Sequence, residues 1–226
     1  MIKKTLWNPA KKETGLTRYI NFLKKNSLYK FVNYKMLHSW SVDNKDLFWK
    51  SIWDFSNVVG EYAEPVIKNI DSFIEAKFFI NSKLNFTKNI LSKENNENAI
   101  VFYSEMGHKR SISWRELNSK TNKFANFLIK RGVKKGDRVA AVLPNFPETV
   151  VAFLATAKIG AIWSSCSADF GPQAVIDRFG QISPKVLVVS DCYFYNNKAI
   201  NTLSKVKEIL KVITSIETTV VIPFNE

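Results

Sequence analysis

Residues 139–161 decide the fold class: Val139-Ala-Ala-Val-Leu143, then Pro144-Asn-Phe-Pro147, then Glu148-Thr-Val-Val-Ala-Phe-Leu-Ala-Thr-Ala-Lys158, then Ile159-Gly-Ala161. The first five residues are apolar without alternation, as in a short strand buried on both faces. The Pro-Asn-Phe-Pro segment is a turn whose second proline stands where a helix opens. Val150, Val151, Phe153, Leu154 and Ala157 then point to nearly every side, so this helix expects neighbours around most of its circumference. Gly160 closes it. With Ala161–Ser164 reading as a further short strand, the stretch is one βαβ unit.

The flanking sequence repeats the pattern. Upstream, Ala99–Ser104 reads as a strand and Met106–Lys109 as its turn. Ser113-Trp-Arg-Glu116 is a capping box, in which the serine hydroxyl and the glutamate side chain each satisfy a backbone N–H at the helix start. The helix it opens runs to Lys130 with Trp114, Leu117, Thr121, Phe124 and Leu128 on one face, and Gly132 ends it. Lys134-Lys-Gly-Asp137 is a tight turn. Downstream, Pro172 stands at the first position of a helix to about Ile182, which Ser183-Pro184 stops. Val186–Val189 is a continuous apolar strand; a helix over 199–211 and a strand at Thr219–Ile222 follow. Strands alternating with helices imply an α/β fold with a mostly parallel sheet.

Residues 1–95 differ. They are aromatic-rich and irregular, and they hold Trp7, Trp40, Trp49 and Trp53, four of the six tryptophans. Residues 46–58 read as a helix with Leu47, Trp49, Ile52, Trp53 and Phe55 on its apolar side and Asp43 as N-cap. Tryptophans so spaced mean packing onto a neighbour rather than ligand stacking. The polar run Ser92–Asn98 punctuates the chain. The expected organisation is an aromatic helical extension over 1–95 and an α/β domain from 96 to 226.

Composition narrows the function classes. With 46% hydrophobic residues the chain can build a core, and general disorder is excluded. No apolar run approaches the 18 or so residues of a membrane span. The first twenty residues lack the apolar centre of a signal peptide, and two cysteines make no disulfide framework, which together predict a reducing, cytoplasmic setting. A net charge of +13 raises nucleic acid as a partner, but 27 of the 33 basic residues are lysine and they are scattered. Base readout favours arginine, so the charge reads as a solvated surface, with a basic mouth for a small polyanion as the other option.

The familiar chemical constellations are missing. There is no GxGxxG and no GxxxxGK[ST]. His38 and His108 are far apart with no cysteine or carboxylate cluster, so no metal site is read. Cys166 sits among serines without an identifiable base, and reads as a small buried thiol. Two segments remain as candidates. Ser164-Ser-Cys-Ser-Ala-Asp-Phe-Gly-Pro172 lies at the carboxyl end of a parallel strand, where open α/β sheets bind ligands; it is either an ordinary connection or an anion-binding turn. Asp191-Cys-Tyr-Phe-Tyr-Asn-Asn-Lys198 follows the next strand, and its rings and lysine suit a stacked base and a phosphate.

Several of these motifs resemble one superfamily. Arg131-Gly-Val-Lys-Lys-Gly-Asp-Arg-Val139, Leu143-Pro-Asn-Phe-Pro-Glu148 and Ala157-Lys-Ile-Gly-Ala161 are similar to the N-terminal subdomain of the acyl-adenylate-forming enzymes: acyl-CoA synthetases, adenylation domains and luciferases. Ser111-Ile-Ser-Trp-Arg-Glu-Leu117 resembles the start of that family's first helix. His38-Ser-Trp-Ser-Val42, Phe48-Trp-Lys-Ser-Ile-Trp-Asp-Phe55 and Lys83-Leu-Asn-Phe86 resemble the N-terminal extension of the acetyl-CoA synthetase group. Trp163-Ser-Ser-Cys-Ser-Ala-Asp-Phe-Gly171 and Val175-Ile-Asp-Arg-Phe-Gly-Gln-Ile-Ser-Pro-Lys-Val186 are closest in pattern to its acetoacetate-activating branch. Acetyl-CoA synthetases carry a glycine pair at Ala168 and Asp169 and an arginine–glycine–glycine–basic loop at Tyr195–Lys198.

The resemblance implies an ATP-dependent ligase acting in two steps. Acetoacetate and ATP give an acyl-adenylate and pyrophosphate, with magnesium offsetting phosphate charge; CoA then displaces AMP. It implies CoA contacts at Ser167, Ala168, Asp169, Tyr195, Asn196, Asn197 and Lys198, and it assigns no catalytic residue. The family's Ser/Thr/Gly-rich phosphate loop, ribose-binding aspartate, acyl pocket and lid lysine have no counterpart in these 226 residues. The expectation is therefore a fragment, inactive alone, with apolar patches where further chain would pack and the complementary part of the enzyme as its partner. A ligase for another short acyl acid, or a binding module reusing the half-domain, are the alternatives.

Overall fold

The computed structural model describes residues 12–26, 31 and 33–224. Trp7 lies outside the described residues. The chain forms two compact units, one up to Leu84 and one from Asn85 onward.

The first unit contains α1 (Gly15–Lys25), α2 (Tyr34–Asp43) and α3 (Lys45–Phe55), then four two-residue strands: β1 (Gly60–Glu61), β2 (Ile67–Lys68), β3 (Lys77–Phe78) and β4 (Lys83–Leu84). β1 pairs antiparallel with β4, and β2 with β3. Tyr19, Leu23, Leu37 and Trp40 are buried together with Phe31. The Tyr19 hydroxyl lies 2.6 Å from that of the buried Ser51, which satisfies both groups. Trp53 packs on Tyr62 and Phe79, so it is a packing residue as its spacing indicates.

Two helix limits differ from the sequence reading. Asp43 is the last residue of α2, not the cap of α3. Asn44 joins the two helices instead, its backbone N–H bonding the Trp40 carbonyl at 2.8 Å. α3 stops at Phe55 rather than 58, because Asn57 takes a positive φ of 50° and the Val58 N–H turns back to the Trp53 carbonyl. α2 itself escaped the sequence reading, although Asn33 caps it through Met36 N–H at 3.0 Å.

The second unit contains α4 (Phe86–Ile90), β5 (Asn98–Tyr103), β6 (Lys109–Ser113), α5 (Trp114–Lys130), β7 (Arg138–Leu143), α6 (Pro147–Lys158), β8 (Ile162–Ser167), α7 (Pro172–Phe179), β9 (Val186–Ser190), β10 (Cys192–Tyr195), β11 (Lys198–Asn201), α8 (Leu203–Val212) and β12 (Thr218–Ile222). Residues 85–95, read from sequence as the tail of the extension, pack here. Asn85 donates to the Ala157 and Lys158 carbonyls at the end of α6, both at 3.1 Å, and the buried Thr87 hydroxyl to the Leu154 carbonyl at 2.7 Å.

Four strands form a parallel sheet in the order β12-β9-β7-β8. Side-chain alternation splits its apolar residues between two cores. Val139, Ala141, Val186 and Val188 face Leu128 and Val133, with Phe124 and Phe127 of α5 against them. Ala140, Val142, Leu187 and Val189 face Val175 and Phe179 of α7 and Val206 and Ile209 of α8. All of β9 is buried, as the unbroken Val-Leu-Val-Val run indicates. The capping box at Ser113 and Glu116 is formed, with reciprocal bonds of 3.2 and 2.8 Å.

Three segments depart from the sequence reading. β8 continues to Ser167, so half of the expected connection is strand. α7 ends at Phe179, and a left-handed Ser183, φ 46°, precedes Pro184. Residues 191–201 are not a loop running into a helix at 199. They form a β10–β11 hairpin, with Tyr195 opposite Lys198 and both Asn196 and Asn197 at positive φ, and α8 starts only at Leu203. Paired positive φ values at the two turn residues are the geometry that matches strand twist in a two-residue hairpin.

Candidate functional site

The carboxyl ends of the parallel strands open into one cleft of about 380 Å³. Pro144 and Asn145 follow β7. Ser167, Ala168 and Asp169 close β8 and lead on from it. Tyr193, Phe194 and Tyr195 come from the hairpin after β9, and Phe224 from beyond β12. Phe102, Ser104 and Glu105 complete the wall from the end of β5. This is where an open α/β sheet presents groups to a ligand, because each strand delivers its following residues to the same rim.

The two candidate segments, far apart in sequence, therefore meet. Ser167, Ala168, Asp169 and Tyr195 line the cleft. Asn196, Asn197 and Lys198 do not line it; they form the hairpin tip and its return strand. The Asn197 backbone N–H donates to Glu105 Oε1 at 3.0 Å, which fastens the tip to the β5–β6 turn. Lys198 is exposed beside Tyr195. The back of the cleft is aromatic. Phe224 stacks on Phe146, with centroids 5.7 Å apart and planes 2° apart, and lies 5.3 Å from Phe194. Asp191 holds Phe224 there: its Oδ1 accepts the Phe224 and Cys192 N–H groups, both at 2.8 Å.

Sequence reasoning missed Glu105, Phe224 and Lys205. Nothing near Lys205 in the sequence marks it, since its role comes from where α8 packs. Its ammonium reaches the Ala168 carbonyl at 2.5 Å and the Phe170 carbonyl at 3.1 Å, and lies 5.5 Å from the Tyr193 ring centre. Burial pushes this amine below its ordinary value, while Asp169 and Cys166 pull it back up. Cys166 is half-buried. Burial pushes its thiol up to about 11, and Arg178 and Lys205 only partly oppose that. Glu105 and Asp169 contribute carboxylates to the lining, together with hydroxyl and amide groups and ring faces. Such a surface suits a flat heterocycle with N–H donors.

The parallel sheet with helices on both faces is an α/β architecture, and the chain belongs to the AMP-binding enzyme family, whose model matches residues 88–226. The particular relatives are narrower. The chain is 37% identical to the acetoacetyl-coenzyme A synthetase of Rhizobium meliloti, over 98% of its own length and 34% of that protein's. It is 35% identical to the acetoacetyl-CoA synthetase of Xenopus tropicalis, over 99% of this chain and 34% of that one. A malonamoyl-CoA synthetase of Penicillium aethiopicum is 29% identical over 96% of this chain and 31% of its own. The solved acetoacetyl-CoA synthetase from Streptomyces lividans superposes with a TM-score of 0.85 at 32% identity, covering 92% of this chain and 33% of that one. The chain thus spans about a third of the length of the curated relatives it matches. Among the described residues no helix is long and apolar enough to cross a membrane.

Proposed function

We propose that the chain belongs to an ATP-dependent, cytoplasmic acetoacetate–CoA ligase, and that its cleft receives the nucleotide end of CoA. The observation that carries this reading is the meeting of Ser167–Asp169 with Tyr195 in one cleft at the strand ends. The fit is chemical. A purine stacks on the aromatic wall, and its exocyclic amine donates to a carboxylate of Glu105 or Asp169. Charged phosphates then point outward, away from those carboxylates, toward the exposed Lys198 at the rim. CoA supplies the thiol that displaces AMP from the acyl-adenylate; the residues of this chain bind and orient its far end. ATP and magnesium belong to the same reading through the family. Among the described residues no group of three or more His, Cys, Asp or Glu is placed to hold a metal ion.

Titration of CoA into the isotope-labelled chain tests this. Backbone amide resonances of residues 167–169 and 193–198 should move together and saturably; no saturable shift, or shifts confined to other segments, would overturn it. Pyrophosphate release from acetoacetate, ATP and magnesium by the 226-residue chain should stay at background, since no catalytic residue is assigned within it. The malonamoyl-CoA synthetase relative favours one second reading, a ligase for a different short acyl acid. Acyl preference of a full-length homologous enzyme carrying these residues separates the two.

A further inference from the structure

The lining of the cleft contains two carboxylates, whereas a half-buried cation, Lys205, stands behind it. Lys205 sits in the first turn of α8, and the start of α8 is tightly placed. The buried Thr202 hydroxyl bonds the Ser190 carbonyl, and the Thr202 N–H bonds the Asp191 carbonyl at 2.9 Å, so the helix begins at a fixed point beside the end of β9. From there the Lys205 ammonium spends two of its three donors on the Ala168 and Phe170 carbonyls. Those carbonyls are oriented by a charge, and charge-assisted bonds are about twice as strong as neutral ones. The same ammonium lies over Tyr193, a residue of the opposite wall. The 168–170 turn has a second tie, Arg178 over the Phe170 ring at 4.5 Å, but that one comes from α7 and does not reach the hairpin.

We propose that Lys205 is a positioning residue of the cleft: it fastens the 168–170 turn to the β10–β11 hairpin, so that the two walls keep the spacing a bound nucleotide needs. The proposal rests on the CoA reading of the cleft for its functional part, and on geometry alone for the fastening. Asp169 and Tyr195 face the ligand from the two walls, and neither touches Lys205 through a hydrogen bond of its own. Asp169 also interacts electrostatically with the ammonium, so the hydrogen-exchange measurement, which reads the spacing of the walls alone, separates the fastening from a change of charge in the cleft.

The test compares the wild-type chain with K205M, K205R and the charge-matched control K207M, whose lysine is exposed on the same helix. Amide hydrogen exchange without ligand reads the fastening. In K205M, exchange at residues 168–171 and 192–195 should rise together by about tenfold, as expected when bonds to a charged group are lost from a half-buried site. CoA titration reads the function: K205M should bind about tenfold more weakly, K205R should recover most of the loss, and K207M should match wild type. Exchange that rises in only one wall, or in neither, overturns the proposal, and so does a K207M loss as large as that of K205M. Should K205M fail to fold, K205Q takes its place, and equal affinity of K205Q and wild type overturns it. If wild type binds no CoA, the CoA reading fails, while the exchange arm still decides whether Lys205 joins the walls.

Discussion

Arg110 and Glu148 make the ion pair whose loss should be felt most in the second unit. Arg110 is on β6 and Glu148 in the first turn of α6, and they meet end-on through two bonds of 3.0 and 2.8 Å. Their side chains are 35% and 23% exposed, so solvent screens the pair in part. At an effective dielectric of about 20, charges some 4 Å apart attract by about 4 kcal/mol. Desolvation and the ordering of two long side chains offset much of that. Exposed pairs retain at most about 1 kcal/mol, and bidentate arginine–carboxylate geometry lies at the strong end. A coupling of about 1–2 kcal/mol follows. Glu148 also faces the positive end of α6, so E148Q loses a helix-terminus contribution besides the pair. Arg110 Nε is buried without a partner, so R110M also removes an unmet donor and recovers a little. For these reasons the single variants are unequal and only the double-mutant cycle isolates the pair. Urea unfolding of wild type, R110M, E148Q and R110M/E148Q should return that coupling, with each single variant melting about 2–6 °C lower. Half-burial should preserve most of the coupling in 0.5 M salt. A coupling below about 0.3 kcal/mol would reduce the pair to a surface contact.

Two further outcomes follow from the same geometry. The Ser113 backbone and hydroxyl hold the Glu116 carboxyl below its ordinary value, so the stabilisation is present above the unfolded carboxyl range and fades as pH falls through the lower folded value; thermal melts from pH 7 to 3 should show that acid loss in wild type and a partly flattened profile in S113A, which keeps the backbone bond and loses the hydroxyl's share, with S113A also less stable at neutral pH through its lost N-cap. With its thiol pushed to about 11, Cys166 in a C192S background should react with iodoacetamide at pH 8 roughly a hundredfold more slowly than a free cysteine, and a rate within a factor of three of the free thiol would contradict its burial.

What could be read from the sequence was whatever local chemistry decides. Ser113 and Glu116 are three residues apart, so their reciprocal bonds need no distant partner, and the capping box stands as read. Val186–Val189 has too little polarity to face water on either side, and both sides are covered. The two candidate segments were picked out because strand ends of parallel sheets are where ligands bind, and Ser167–Asp169 and Tyr195 do line one cleft. Lys205 was invisible because its partners are carbonyls of residues 35 and 37 positions earlier, and a carbonyl leaves no trace in the sequence. The hairpin at 192–201 was legible but passed over: alternating Tyr193 and Tyr195 before an Asn-Asn pair is a strand-and-turn signal. Asp43 failed as a cap for a different reason. The residue beside it, Asn44, already had to end one helix and start the next.

The order of strands in the parallel sheet bears on how a ribosome would deliver it. β7 emerges first. β8 then pairs with one side of it and β9 with the other, after which β12 adds to β9. Every strand thus meets a waiting edge, and none has to be wedged between two that are already joined. Sheet growth by simple accretion suits vectorial synthesis, in which later segments do not yet exist when earlier ones settle. Arrest-peptide force measurements on nascent chains of increasing length should show pulls in that order, as β8, β9 and β12 clear the exit tunnel; a single late pull would mean that the sheet waits for all its strands and closes at once.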